Sequence, residues 1–302
     1  MISVQFDYAA PDSLEAAVKL LNDDHSAVIL AGSHSLMAAL KQGGFSPPLL
    51  IDLLKIPDLG GINRQANGAL EIGSMTTLAN LAESKEVKDN FTALAEAANG
   101  IGDPQIRNWQ RIGDIFGYGD LACDLPTVAL ALEATFETVG VSGKHDTHST
   151  QDLLSRAVPA SWMLPDIVCK LHFPACREGT GTAYLSLRDP ASRSAICSVA
   201  ALVEPGVDRV TVSKCRVAVG GALSYPIRLT QVEAALEGKE PTAANIADAA
   251  QLAIVNVTAA LATRDDLTIR SSLYASAEYR THLIGVLTKR ALMLAAKRSS
   301  FI

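Results

Sequence analysis

Residues 105–126, QIRNWQRIGDIFGYGDLACDLP, constrain this chain more than any other stretch. The run has almost no regular periodicity, yet it holds Gly113, Gly117 and Gly119 and two carboxylates four apart, Asp120 and Asp124. Pro126 then opens an apolar helical run over 127–134, in a first-turn position where proline is tolerated. A glycine-rich segment feeding a helix start can bring backbone N–H groups onto an anionic ligand. The same residues serve a long surface loop equally well.

A second stretch upstream has the same character. Residues 27–31, AVILA, are a short apolar run that reads as a buried strand, followed by Gly32-Ser33-His34-Ser35 and a helical pattern over 36–42. Strand, small-residue turn and helix start again make a phosphate cradle. About eighty residues separate the two turns, and a pyrophosphate could lie between them.

The pair AGSHSL (31–36) and RIGDI (111–115), the latter followed by Asp120 and Asp124-Leu-Pro, resembles the two flavin-binding segments of the FAD subunit of molybdenum hydroxylases. In that family, of the carbon monoxide dehydrogenase and xanthine dehydrogenase type, the segments usually read A-G-G-x-S-L and T-I-G-G-N/S. The likeness continues through 72–77 (IGSMTT), 104–108 (PQIRN), 181–184 (GTAY) and Ser192-Arg193 before an apolar run. It extends to 219–222 (VGGA), 226–228 (PIR) and 277–283 (AEYRTHL), so the agreement runs from end to end.

The resemblance implies an α+β chain with two domains. A two-lobed FAD-binding domain of the vanillyl-alcohol-oxidase/PCMH-like kind is expected over 1–175, with lobes of about 1–56 and 57–175. A small domain of one sheet and three helices is expected over 180–302. The cofactor implied is FAD, held non-covalently, with His34 a turn residue and not an attachment point. Leu30, Ala31, Gly32, Ser33, His34, Ser35 and Leu36, with Ile112, Gly113, Asp114 and Ile115, would hold it, largely through backbone groups on the pyrophosphate. Asp120 and Asp124 would accept hydrogen bonds from ribityl or ribose hydroxyls. Val168 would lie near the flavin ring, and the loop after Tyr184, beyond Ser186 and through Arg193, would approach the isoalloxazine.

The same resemblance implies partners. Substrate would be oxidised at molybdopterin-bound molybdenum on a large subunit, and electrons would pass through iron–sulfur clusters on a small subunit to this flavin. NAD, oxygen or a quinone would then accept them. No residue of this chain would be catalytic, because the flavin carries the redox chemistry.

Three departures bear on the cofactor. Ser33 replaces the second glycine of the first turn. Asp114 replaces the second glycine of the other turn, followed by Ile115 in place of Asn or Ser. Ser186 stands where a basic residue is common. At about 5 Å and an effective dielectric near 20, Asp114 facing a pyrophosphate costs roughly 3 kcal/mol unless it turns away or meets a cation such as Arg111. These departures keep a flavin-depleted structural subunit in view. A free-standing flavin oxidase would need a substrate domain that is not evident.

Composition narrows the remaining classes. A chain of 302 residues, 48% hydrophobic, has room for two domains and a large core. A net charge of −6 and pI near 5.5 give no footprint for nucleic acid or an anionic membrane. No uninterrupted apolar stretch approaches the ~20 residues of a membrane span. Residues 1–7 lack a basic region and an apolar core, so the expectation is a cytoplasmic protein. Five widely spaced cysteines without a C-x-x-C argue against an iron–sulfur or zinc site in this chain, so if it passes electrons the iron–sulfur centres are expected on another subunit. The pairs Gly100/Gly102, Gly117/Gly119 and Gly179/Gly181 each lack the third glycine of a nicotinamide-binding turn.

Local patterns predict the helix 14–22 with Asp12 as cap and Glu15 reaching back, and strands at 49–53, 69–73, 135–141 and 166–174. The polar segment 143–148, with His145 and His148, reads as a solvated turn and not a metal pair. A polar link over 175–181 precedes a hairpin, 195–203 and 209–220, turning at Glu204-Pro205-Gly206. Helices are expected at 230–237, at 243–262 with Thr242 as cap, and at 276–297.

Overall fold

The structure is a computed structural model and describes residues 5–32, 34–43, 46–117, 124–155 and 166–301. The chain begins with β1 (Asp7–Ala9), α1 (Leu14–Asp23), β2 (Val28–Leu30), α2 (His34–Gln42) and β3 (Leu49–Asp52). It continues with β4 (Ile62–Arg64), β5 (Leu70–Gly73), α3 (Leu78–Glu83), α4 (Lys85–Asn90), α5 (Thr92–Gly100), α6 (Pro104–Trp109) and α7 (Ile112–Gly117). Next come α8 (Asp124–Ala131), β6 (Thr135–Val139), β7 (His145–Ser149), α9 (Thr150–Ser155) and β8 (Ile167–Phe173). The last part is β9 (Gly181–Arg188), β10 (Ala195–Pro205), β11 (Val212–Gly220), β12 (Ile227–Arg228), α10 (Thr230–Leu236), α11 (Ala243–Thr263) and α12 (Ala277–Arg298).

The described residues of Met1–Leu81, Asp103–Asp120 and Ala134–Phe173 form one compact unit. It contains two sheets. A small parallel sheet runs β1-β3-β2, with Leu50 and Ile51 of its central strand 2% and 0% exposed. An antiparallel sheet runs β4-β5-β8-β6-β7, and α7 packs on its central strand β8. Leu70, Ile72, Phe136, Leu171 and Phe173 bury their side chains there.

The second unit gathers the described residues of Ala82–Gly102, Leu121–Glu133 and Pro174–Ile302 around the antiparallel sheet β12-β11-β10-β9. Helix α12 packs on β9 and β10, and α8 packs on β10 and β11. Ten of the eleven residues of β10 are buried, all but Glu204. A strand covered on both faces is expected to read as a continuous apolar run, and 195–203 does. Helix α11 is long and apolar enough, by length and composition, to cross a bilayer. Here it packs with α10 and α12 and buries Ile246, Ala249, Ala250, Ala253, Asn256 and Val257.

Several local expectations are corrected. Ser13, not Asp12, caps α1, its hydroxyl accepting from the Ala16 amide at 3.2 Å. The segment read as a solvated turn at 143–148 contains β7, paired with β6 from Val139↔His145 to Thr135↔Ser149. Its edge position leaves it polar, with no apolar alternation to mark it. The irregular run from 105 forms α6 and α7. Asp103 caps α6, accepting from the Ile106 amide at 2.9 Å, with Pro104 at the first helical position. Pro126 is the third residue of α8, still within the turn whose N–H groups have no helical partner. The conformation of 118–123 lies outside the described residues.

Candidate functional site

In the first unit, the turn after β2 closes onto the segment between α6 and α7. Gly32 has φ +78°, where an L side chain is strained, and a Cβ there would lie 2.5 Å from the Trp109 carbonyl oxygen and 2.9 Å from Arg111 Cγ. Only glycine allows this approach, so the two stretches singled out in the sequence do meet. Leu30 ends β2, Ala31 is buried, and His34 and Ser35 open α2, while Ser33 lies outside the described residues. Leu36 is fully buried and its side chain packs with Val28, Leu40 and Leu50.

The second stretch is held from behind. The Leu78 amide donates to Gln110 O at 3.0 Å, Ile112 N to Thr76 O at 3.0 Å and Gly113 N to Ser74 O at 2.8 Å. A Cβ on Gly113 would lie 2.7 Å from Ser74 Cβ, so this glycine lets α7 pack against residues 74–76. Two of the amides expected on the pyrophosphate therefore donate inside the unit. Ile112, Asp114 and Ile115 are only 0%, 3% and 1% exposed. Val168, in β8 opposite Thr138, is also buried.

Arg111 was named in the sequence only as a possible counterion for Asp114. Its stem runs over Gly32, and its Nη1 donates to Met75 O at 3.0 Å. Its Nε is buried with no hydrogen-bond partner. Burial pushes its pKa down and the charge of Asp52 pushes it up, for a net lowering. Asp52 itself accepts from the Tyr8 hydroxyl at 2.7 Å and from Leu54 N at 2.9 Å. A turn that only glycine fits, with a buried cationic N–H left over beside it, suits the anionic pyrophosphate of FAD.

The second unit holds a separate cluster. Asp124, the first residue of α8, is 4% exposed. Its Oδ1 accepts from the Tyr184 hydroxyl and from Arg188 Nη2 at 3.0 Å, and its Oδ2 accepts from Arg188 Nη1 at 3.1 Å. Burial first, then the charge of Asp124 and its hydrogen bond, raise the Tyr184 pKa far above the ordinary value, keeping the hydroxyl a donor. Both oxygens of Asp124, expected to accept from FAD hydroxyls, meet Arg188 and Tyr184 in the structure. Tyr184, Ser186 and Arg188 alternate along β9 and so share one face, with Ser186 opposite Ser198 on β10. Asp120 lies outside the described residues. Arg188 was not anticipated; its spacing of four from Tyr184 would have shown it only once β9 was known to be a strand.

Residues 4–176 match the family described as FAD binding domain in molybdopterin dehydrogenase, and residues 182–295 match the CO dehydrogenase flavoprotein C-terminal domain. The carbon monoxide dehydrogenase medium chain of Hydrogenophaga pseudoflava is 32% identical, with 99% of either chain covered. The 6-hydroxypseudooxynicotine dehydrogenase complex subunit alpha of Paenarthrobacter nicotinovorans is 31% identical over 97% of this chain and 95% of its own. Among solved structures, carbon monoxide dehydrogenase from Hydrogenophaga pseudoflava lacking the Mo-pyranopterin moiety superposes with a TM-score of 0.86, at 32% identity, covering 99% of this chain and 100% of that one. With both domains matched and the alignments spanning either chain, this chain belongs to the family of FAD-binding medium subunits of molybdenum hydroxylases, oxidoreductases of the carbon monoxide dehydrogenase and xanthine dehydrogenase type.

Proposed function

We propose that this chain works as the medium subunit of a three-subunit molybdenum hydroxylase, beside a large molybdenum subunit and a small iron–sulfur subunit. Residues 1–175 would carry the cofactor and 180–302 form the second domain. Bound FAD would supply the redox step between the iron–sulfur clusters and an external acceptor, whether NAD, oxygen or a quinone. The chain's own part is to hold and shield an anionic cofactor. The observation that carries this reading is the closed approach of Gly32 to Trp109 and Arg111, which brings together two segments far apart in sequence. In this reading Asp124 is an anchor for α8, fixed by Arg188 and Tyr184. A cytoplasmic setting suits the cysteines, since Cys169, Cys176, Cys197 and Cys215 are all free thiols.

The absorbance spectrum of the purified full chain tests the proposal. The expected result is the two-banded visible spectrum of oxidised flavin, released into solution on denaturation because the link is non-covalent. A chain that neither retains flavin nor takes it up on reconstitution would instead be a structural subunit that has lost the cofactor.

A further inference from the structure

We infer that Arg111 is the residue that receives the FAD pyrophosphate in the first unit. The inference rests on the FAD-carrying reading above and deepens it. Three observations point to this residue. Its stem lies against Gly32, where the β2–α2 turn leaves no room for a side chain. Its Nε is buried and without a partner, while Nη1 alone is held, by the Met75 carbonyl at 3.0 Å. The carboxylate whose charge bears on it, Asp52, already accepts from the Tyr8 hydroxyl and from Leu54 N.

The need for a cation follows from the neighbouring backbone. The amides of Ile112 and Gly113 donate to Thr76 and Ser74 and are not free for phosphate oxygens. A guanidinium supplies several N–H donors in a fixed fork that matches phosphate geometry, so one arginine can stand in for two amides. Met75 O fixes one nitrogen and thereby orients the others, which lowers the entropy lost on binding. Asp114, whose charge would oppose the phosphates, is only 3% exposed.

The test is FAD titration of the flavin-free full chain, followed by flavin fluorescence at low and high ionic strength, in wild type, Arg111→Gln and Arg111→Lys. Wild type should bind FAD with an affinity that falls as salt rises. Arg111→Gln should bind roughly 10- to 100-fold more weakly, the loss of a charge-assisted hydrogen bond, and with a flatter salt dependence. Arg111→Lys keeps charge and stem but not the fork, and should fall between the two while keeping its salt dependence. Equal affinity in wild type and Arg111→Gln would overturn the assignment and leave the FAD reading standing. A weakened Arg111→Gln that keeps the wild-type salt dependence would also overturn it, by showing that packing and not charge is what matters. If Arg111→Gln fails to fold, a salt-independent wild-type affinity decides against the proposal. A wild-type chain that takes up no FAD fails the functional reading itself, which is a different result.

Discussion

At the scale of single residues, burial decides what a carboxylate can do. Asp124 stands out in sequence as a carboxylate at a helix start, but its partners depend on the register of β9, which no local pattern shows. Removing its charge takes the carboxylate from Arg188, whose side chain is only 22% exposed. Breaking a buried pair on one side costs about 3 kcal/mol or more. Asp124→Ala should therefore lower the urea midpoint of the second unit, with Tyr184→Phe causing a smaller loss of about 1 kcal/mol. An unchanged midpoint in Asp124→Ala would show that the cluster adds nothing to stability. Glu133 gives a pH-dependent counterpart. It sits at φ +55°, left-handed for a non-glycine residue, and its carboxylate accepts from Lys214 and from Arg216 Nε at 2.6 Å. Burial pushes its pKa up, but the hydrogen bonds from Lys214 and Arg216 and their charges outweigh it and hold the group at about 2, against an ordinary 4.5. A depressed carboxylate contributes stability that is fully present above 4.5 and is lost as pH falls through about 2. Between those values the urea midpoint of wild type should fall more steeply than that of Glu133→Gln, and parallel curves would refute the assignment.

At the scale of elements, legibility followed burial pattern and length. The run 195–203 declared a strand because helices cover both faces of β10, and α11 announced itself through Thr242, whose hydroxyl accepts from Asn245 N at 3.2 Å; Ser276 caps α12 in the same way, accepting from Tyr279 N at 3.2 Å. Helices α6 and α7 have six residues each, too few for a 3.6-residue period to emerge from a glycine-rich background. Strand β7 is polar because it is an edge, and its His145 meets Glu137 at 2.9 Å across the ladder in place of apolar packing. In the second stretch, Gly113 packs against Ser74. Its substitution therefore acts on packing first. Gly113→Ala would drive a Cβ to 2.9 Å from the Ser74 carbonyl oxygen, which cannot move without disturbing the bond from Gly113 N. The expected loss is about 1–3 kcal/mol for overpacking, with weaker FAD uptake as a consequence of displacing Arg111. Thermal unfolding and FAD titration on the same variant check both parts, and wild-type values in each would mean that α7 has slack at Ser74.

At the scale of the whole molecule, the sequence reads as consecutive stretches, whereas each compact unit is assembled from three separate ones. Segment 82–102 shows why. Its helix α5 buries Ala93, Leu94, Ala95, Ala97 and Ala98 and packs against β9 and α8, elements far downstream whose identity no window around α5 contains. Iron–sulfur clusters take thiolates, about four per cluster. Burial pushes the thiols of Cys169 and Cys197 up to about 12 and that of Cys176 to about 11, and it raises Cys215 further. None is poised as a thiolate at neutral pH. Cys123 lies outside the described residues, and one thiol cannot build a cluster. Iron–sulfur centres that pass electrons to this flavin are therefore expected outside these residues. Affinity purification of the full chain from its native host should accordingly recover two further chains, a larger one containing molybdenum and a smaller one containing iron and acid-labile sulfide. Metal analysis of the separated bands assigns each. Recovery of this chain alone, with full dehydrogenase activity and bound iron of its own, would overturn the assignment of the clusters to a partner.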